Sequence, residues 1–123
     1  MPQDNDLIIT ARKLTGILLY DIISRNITPF EAIQKFPKDI DDISIKIAWN
    51  AIIHFDSDED IRKKDNLYAQ EQMSYLEGLG KILLQGEPLP KNILDEYENI
   101  YEETILPKRP TIKEYLKSIF RFI

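Results

Sequence analysis

The placement of proline is what most limits the fold of this chain. Proline fixes its own φ and lacks an N–H, so it stops helices and stays out of central strands. Pro29, Pro37, Pro88, Pro90, Pro107 and Pro110 all fall between segments whose apolar residues recur every three or four positions, and Pro2 lies at the terminus. Such spacing marks helices with one buried face. The pattern predicts an all-α, single-domain bundle of about six mostly antiparallel helices over residues 1–123, because short connections turn successive helices back on one another.

The first helix is predicted from Asp6 to Arg25, with Leu7, Ala11, Leu14, Leu18 and Ile22 as a buried stripe that Ile8, Ile17, Leu19 and Ile23 widen. Thr28-Pro29-Phe30-Glu31 reads as a capping box with proline at the first helical position, opening a short helix that Pro37 stops. Asp41 or Asp42 is expected to cap a third helix, apolar almost all round, ending near His54. A fourth is expected to start at Ser57, with Asp60 as its capping partner, and to end at Gly86. Ile61, Tyr68, Tyr75 and Ile82 recur along it at heptad spacing. Gly78 and Gly80 inside it mark a close helix crossing or a kink, since a helical glycine costs about 1 kcal/mol relative to alanine. A fifth helix from Asn92 to Thr104 and a sixth from Thr111, with Ile112, Tyr115, Leu116, Ile119 and Phe120 on one side, complete the set. Helices one, three and four are expected to form the core.

A chain of 123 residues, 43% hydrophobic and 30% charged, is long enough to bury a core without staples. It has no cysteine, which excludes disulfides, thiolate metal sites and cysteine nucleophiles and fits a reducing compartment. The first residues carry acids and no base, unlike a secretory leader, and the most apolar run, ILLYDII, is broken by Asp21. The expectation is a cytoplasmic protein that neither enters a membrane nor binds nucleic acid, because a net charge of −5 opposes contact with phosphate backbones.

The stretch HFDSDEDIRKKDNLYAQEQ, from residue 54 to 72, concentrates the chemistry. Asp56, Asp58 and Asp60 stand at positions one, three and five of a calcium loop, but Ile61 replaces its glycine and Leu67 its terminal glutamate. His54, Asp58 and Asp65 form a candidate ligand set for a metal-dependent hydrolase, with only one histidine available. As plain structure, acids in a first helical turn suit the helix dipole, and Asp58, Arg62 and Asp65 form a charge ladder at i,i+4 and i,i+3 spacing.

The block H-F-x-x-D-x-D-I-R-x-x-D-x-x-Y-A, residues 54 to 69, resembles one found in small, mostly uncharacterised bacterial all-helical proteins. The resemblance implies a junction role for Arg62, held between Asp58 and Asp65 where helices three and four meet. A guanidinium suits that role because its planar fork can bond two carboxylates.

Acids gather in two runs, one from Asp39 to Asp60 and one comprising Asp95, Glu96, Glu98, Glu102 and Glu103, while Lys108, Arg109, Lys113, Lys117 and Arg121 make the C-terminal piece basic. No phosphate-binding loop, nucleophile elbow or zinc-protease motif is present. The reading these features favour is a non-enzymatic acidic protein-binding module that needs no cofactor. In its most concrete form it is an immunity or inhibitor protein that occludes a basic partner such as a nuclease toxin. Asp56, Asp58, Glu59, Asp60, Asp95, Glu98 and Glu102 would carry the contact, by opposite charge. The alternatives are the metal-dependent hydrolase and a structural or oligomeric helical module.

Overall fold

A computed structural model describes residues 5–103. Within them the chain forms α1 (Asn5–Ile23), α2 (Pro29–Lys35), α3 (Ile43–Ser57), α4 (Glu59–Lys64), α5 (Asn66–Leu84) and α6 (Lys91–Glu103). The sixth helix expected from Thr111 lies outside the described residues. Six helices are nevertheless present among them because the expected fourth helix is two. Asp65 separates these, with extended φ and ψ of −131° and 97°, and its carboxylate accepts the Tyr68 N–H at 3.0 Å. An aspartate that caps a new helix in this way competes with continuation of the old one.

The other boundaries follow local chemistry. Thr28 Oγ1 accepts the Glu31 N–H at 3.1 Å, so Thr28 caps α2 as expected, and Glu31 Oε1 accepts from the Thr28 hydroxyl at 3.3 Å instead of from its N–H. Asp42, not Asp41, caps α3 through the Ile45 N–H at 3.2 Å. Ser57 caps nothing. It ends α3, and its hydroxyl donates back to Ile53 O at 3.0 Å. α5 ends as expected at Gly86, whose φ of +79° closes the last turn through a bond to Leu83 O.

The core lies among α1, α3 and α5. Leu18, Leu19 and Ile22 meet Ile45, Ile47, Ile52, Tyr75, Leu76, Leu79 and Leu83, all buried; each such side chain contributes about 1.5–3 kcal/mol relative to exposure. α1 and α5 run antiparallel and form the most extensive helix–helix contact among the described residues. They touch backbone to backbone at Gly16: a Cβ there would lie 2.6 Å from Leu84 N and 2.9 Å from Gly80 O. The close crossing expected from Gly78 and Gly80 therefore involves Gly80 and Gly16, while Gly78 faces open space.

The buried face of α1 is rotated from the expected stripe. Ala11, Thr15, Gly16, Leu18, Leu19 and Ile22 are buried, but Leu7, Leu14 and Ile17 are exposed, Leu7 to 57%. Close packing on Gly16 turns that side of α1 inward and leaves part of the heptad row outside. One polar clamp closes this region. Arg12 holds Asp42 through Nε at 3.1 Å and Nη2 at 2.8 Å and donates from Nη1 to Gly86 O at 3.2 Å. One side chain thus ties α1 to the start of α3 and the end of α5.

α2 covers α3 through Ala32 and Phe36, whose ring meets Trp49 edge-on at 5.1 Å. α6 lies along α3. The Leu89 N–H donates to Ser44 Oγ at 2.9 Å, and Asn50 Nδ2 donates to Tyr97 Oη at 3.0 Å. Numbers rise together in these two contacts, so α6 runs in the same direction as α3. Among the described residues, no helix is long and apolar enough to cross a membrane.

Candidate functional site

The stretch from His54 to Gln72 turns two corners, and its acids divide by burial. Asp58 joins α3 to α4. Its N–H donates to His54 O at 3.0 Å, and its carbonyl accepts the Arg62 N–H at 3.0 Å. Its side chain is 1% exposed, and Oδ2 accepts hydrogen bonds from Tyr68 Oη and from Gln72 Nε2, the latter at 3.2 Å. A buried carboxylate is tolerable only when donors replace its water, and both donors come from α5. Gln72, also 1% exposed, turns its other amide atom to Arg62 Nη1 at 2.8 Å. Arg62 Nη1 further donates to Phe55 O, capping the C-terminal end of α3, and the guanidinium stacks on the Phe55 ring at 3.5 Å.

Asp58, Tyr68, Gln72 and Arg62 therefore form one buried hydrogen-bonded chain where α3, α4 and α5 meet. The junction expected of Arg62 is present, with different partners. Arg62 bonds a carbonyl and an amide, Asp58 bonds Tyr68 and Gln72, and Asp65 caps α5. The three residues are not a solvated ladder. Burial lowers the Arg62 pKa, and the charges of Asp58 and Glu59 oppose that shift. Burial raises the Tyr68 pKa well above the ordinary tyrosine value, reinforced by its hydrogen bond to Asp58. Tyr68 is accordingly a neutral donor to the carboxylate.

Asp58 is also removed from the predicted binding surface, since a carboxylate 1% exposed and turned toward α5 meets no partner. Asp56, Glu59 and Asp60 are exposed around it, and Asp95 and Glu98 are exposed on α6. Glu102 lies on α6, with its side chain outside the described residues. His54, Asp58 and Asp65 are not gathered as ligands. Among the described residues, no group of three or more His, Asp or Glu side chains could hold a metal ion. Asp65 is spent on the α5 N-cap and Asp58 on the buried chain.

Beside the acidic corner opens a cleft of about 840 Å³. One wall is the end of α1 and the start of α2, with Ile22, Ile27 and Phe30; the other is the end of α3, α4 and the start of α5, with Phe55, Ala69 and Met73. Its charged lining is Arg25, Glu31, Asp56, Glu59, Arg62 and Lys63. Arg62 faces inward to its bonds, and Lys63 pairs with Glu59 at 3.4 Å. The lining thus sets three acids, Glu31, Asp56 and Glu59, against three bases, Arg25, Arg62 and Lys63, and the exposed Asp60 lies on the same short helix as the exposed Lys64.

Two features of the mouth escape sequence reasoning. Phe30 is 63% exposed. Arg25 has φ +60°, in the left-handed region where a side chain is strained. It closes α1 in a Schellman turn, with the Arg25 N–H on Ile22 O at 3.1 Å and the Asn26 N–H on Asp21 O at 2.9 Å. The position after a helix that lacks a glycine there was the available signal.

Compared with protein-family models, curated proteins and solved structures, the chain finds no match in any of the three.

Proposed function

We propose that the protein is a non-enzymatic binding module that takes a basic, partly apolar segment of another protein into the cleft between α2 and α4. The observation that supports this most is the pairing of an apolar floor with exposed acids. Phe30, Ile27, Phe55 and Met73 offer a partner apolar contact. Asp56, Glu59 and Asp60 stand exposed on a corner whose geometry the Asp58–Tyr68–Gln72–Arg62 chain holds. Apolar anchors supply affinity in such surfaces, and charge sets partner choice and encounter rate. A partner whose basic surface normally meets phosphate, such as a nuclease toxin, would be blocked by carboxylates standing where phosphates stand. In that form the protein is an immunity or inhibitor protein.

The test is capture from lysate by the full chain, in parallel with the triple variant Asp56→Lys, Glu59→Lys, Asp60→Lys and with Phe30→Ala. A basic protein retained by the parent, released by salt and lost from both variants is the expected result. Capture that survives charge reversal, with the helical circular dichroism spectrum unchanged, would overturn the proposal.

A further inference from the structure

The partner chemistry just proposed is also present in the chain itself. Residues 108–121 combine Lys108, Arg109, Lys113, Lys117 and Arg121 with Ile112, Tyr115, Leu116, Ile119 and Phe120 at three- and four-residue spacing. We infer that this basic, amphipathic segment is the cleft's first occupant, docked in cis between α2 and α4, and that an outside partner binds by displacing it.

Three observations carry the inference, which rests on the reading of the cleft as a site for basic apolar segments. The first is where the described chain ends. α6 runs alongside α3 in the same direction, with Tyr97 level with Asn50. From Tyr97 to Glu103 is about 9 Å of helix at 1.5 Å per residue. The same advance from Asn50 along α3 reaches Asp56, which lines the cleft. The chain therefore leaves α6 heading toward the end of α3 that carries Asp56. The second is reach. The residues between Glu103 and Lys108 span on the order of 15 Å when extended, enough for the basic segment to approach the mouth. The third is charge. Glu31 and Asp56 line the mouth and Glu59 and Asp60 stand exposed on α4, and these acids would meet a segment whose only acid is Glu114.

Tethering makes such docking effective without tight contacts. A short linker holds its ligand at an effective concentration in the millimolar range. A segment with an affinity of about 10 μM would then fill the cleft most of the time and weaken an outside competitor by roughly a hundredfold. Among the described residues a second apolar surface exists, the Leu7, Leu14 and Ile17 row of α1, and it supplies the control.

The experiment uses the full chain and its lack of cysteine. The double variant Glu31→Cys, Lys117→Cys is oxidised at low protein concentration, beside the control Leu14→Cys, Lys117→Cys. An intramolecular disulfide in the first and none in the second is expected. Crosslinking mainly to α1, mainly between two copies, or not at all would overturn the inference. A second measurement guards against cysteine variants that fail to fold. A synthetic peptide of residues 108–123 is titrated into the parent chain and into the variant Lys113→Glu, Lys117→Glu, Arg121→Glu. The variant should bind it about a hundredfold more tightly, and equal affinities would overturn self-occupancy. Capture of a basic partner that is lost on reversing Asp56, Glu59 and Asp60, with no crosslink to Glu31→Cys, would sink this inference alone. Capture indifferent to that reversal would sink the reading beneath it.

Discussion

The two ends of the α1–α5 pair are built on opposite principles. Where the end of α5 crosses the middle of α1, the backbones touch at Gly16 and Gly80, and Arg12 binds Asp42 and Gly86 O. Where α1 ends and α5 begins, the helices are separated by the cleft, and Arg62 joins Phe55 O to Gln72 beneath it. Each end uses one part-buried arginine. Arg12 meets a carboxylate with two nitrogens and seals a dry contact. Arg62 donates from one nitrogen to two neutral oxygens and is one of the residues that line the cleft. The difference teaches that tight closure at one end lets the other stay open. Stability concentrated in the glycine crossing frees α2 and α4 from packing against each other.

The largest test of this contrast is Gly16→Ala. Its Cβ would meet the Leu84 backbone at 2.6 and 2.8 Å, and backbone cannot yield as a flexible side chain can. A loss of about 3 kcal/mol is expected in urea unfolding, typical of a severely overpacked core site. A loss under 1 kcal/mol would mean that the two ends are equally tolerant. Gly78→Ala on the same helix, facing open space, is the matched control and should gain up to about 1 kcal/mol in propensity.

The polar end is tested next, through pH. The folded-state pKa of Tyr68 lies above its unfolded value of about 10. The folded form therefore binds the proton more tightly, and this stability is fully present below the unfolded pKa and lost as pH climbs above it. Tyr68→Phe should cost about 1–2 kcal/mol near neutrality by removing a donor from buried Asp58. It should also flatten the alkaline fall in stability. Tyr97, raised by burial as well, leaves a residual slope of the same sign. An alkaline limb identical in parent and variant would show that Tyr68 is not held as a neutral donor.

The smallest effect compares the two helix ends that turn left-handed. Gly86 occupies φ +79° without strain, and Arg25 occupies φ +60° with it. Arg25→Gly should stabilise the fold by about 0.5–1 kcal/mol by relieving the Cβ clash of that backbone region. Removing the cation that faces Glu31 and Asp56 at the mouth should also strengthen capture of a basic partner. Capture weakened by the variant would show that Arg25 supplies a contact rather than repulsion.

Much of this was legible in the sequence, for reasons that particular residues explain. Thr28, Asp42 and Gly86 act on backbone within three residues of themselves, so their roles can be read locally. The break at Asp65 was hidden because the heptad of Ile61, Tyr68, Tyr75 and Ile82 runs across it undisturbed. Asp58 looked like one more exposed acid. Its burial depends on Tyr68 and Gln72, donors on another helix. Arg12 and Asp42 lie thirty positions apart, and no local pattern pairs them. The cleft was illegible for the same reason, since its walls come from two distant stretches.

α4 has no buried residue, and that has a consequence on the time axis. A helix of six residues held chiefly through Arg62, to Phe55 O and Gln72, can open by releasing that one side chain, so its amide protons should trade with solvent through local excursions before those of the core helices do. The acids Glu59 and Asp60 ride on this least protected segment. A bound partner would have to arrest those excursions, so its arrival would be written in slowed deuterium uptake at α4 even where no bulk change in structure accompanies it.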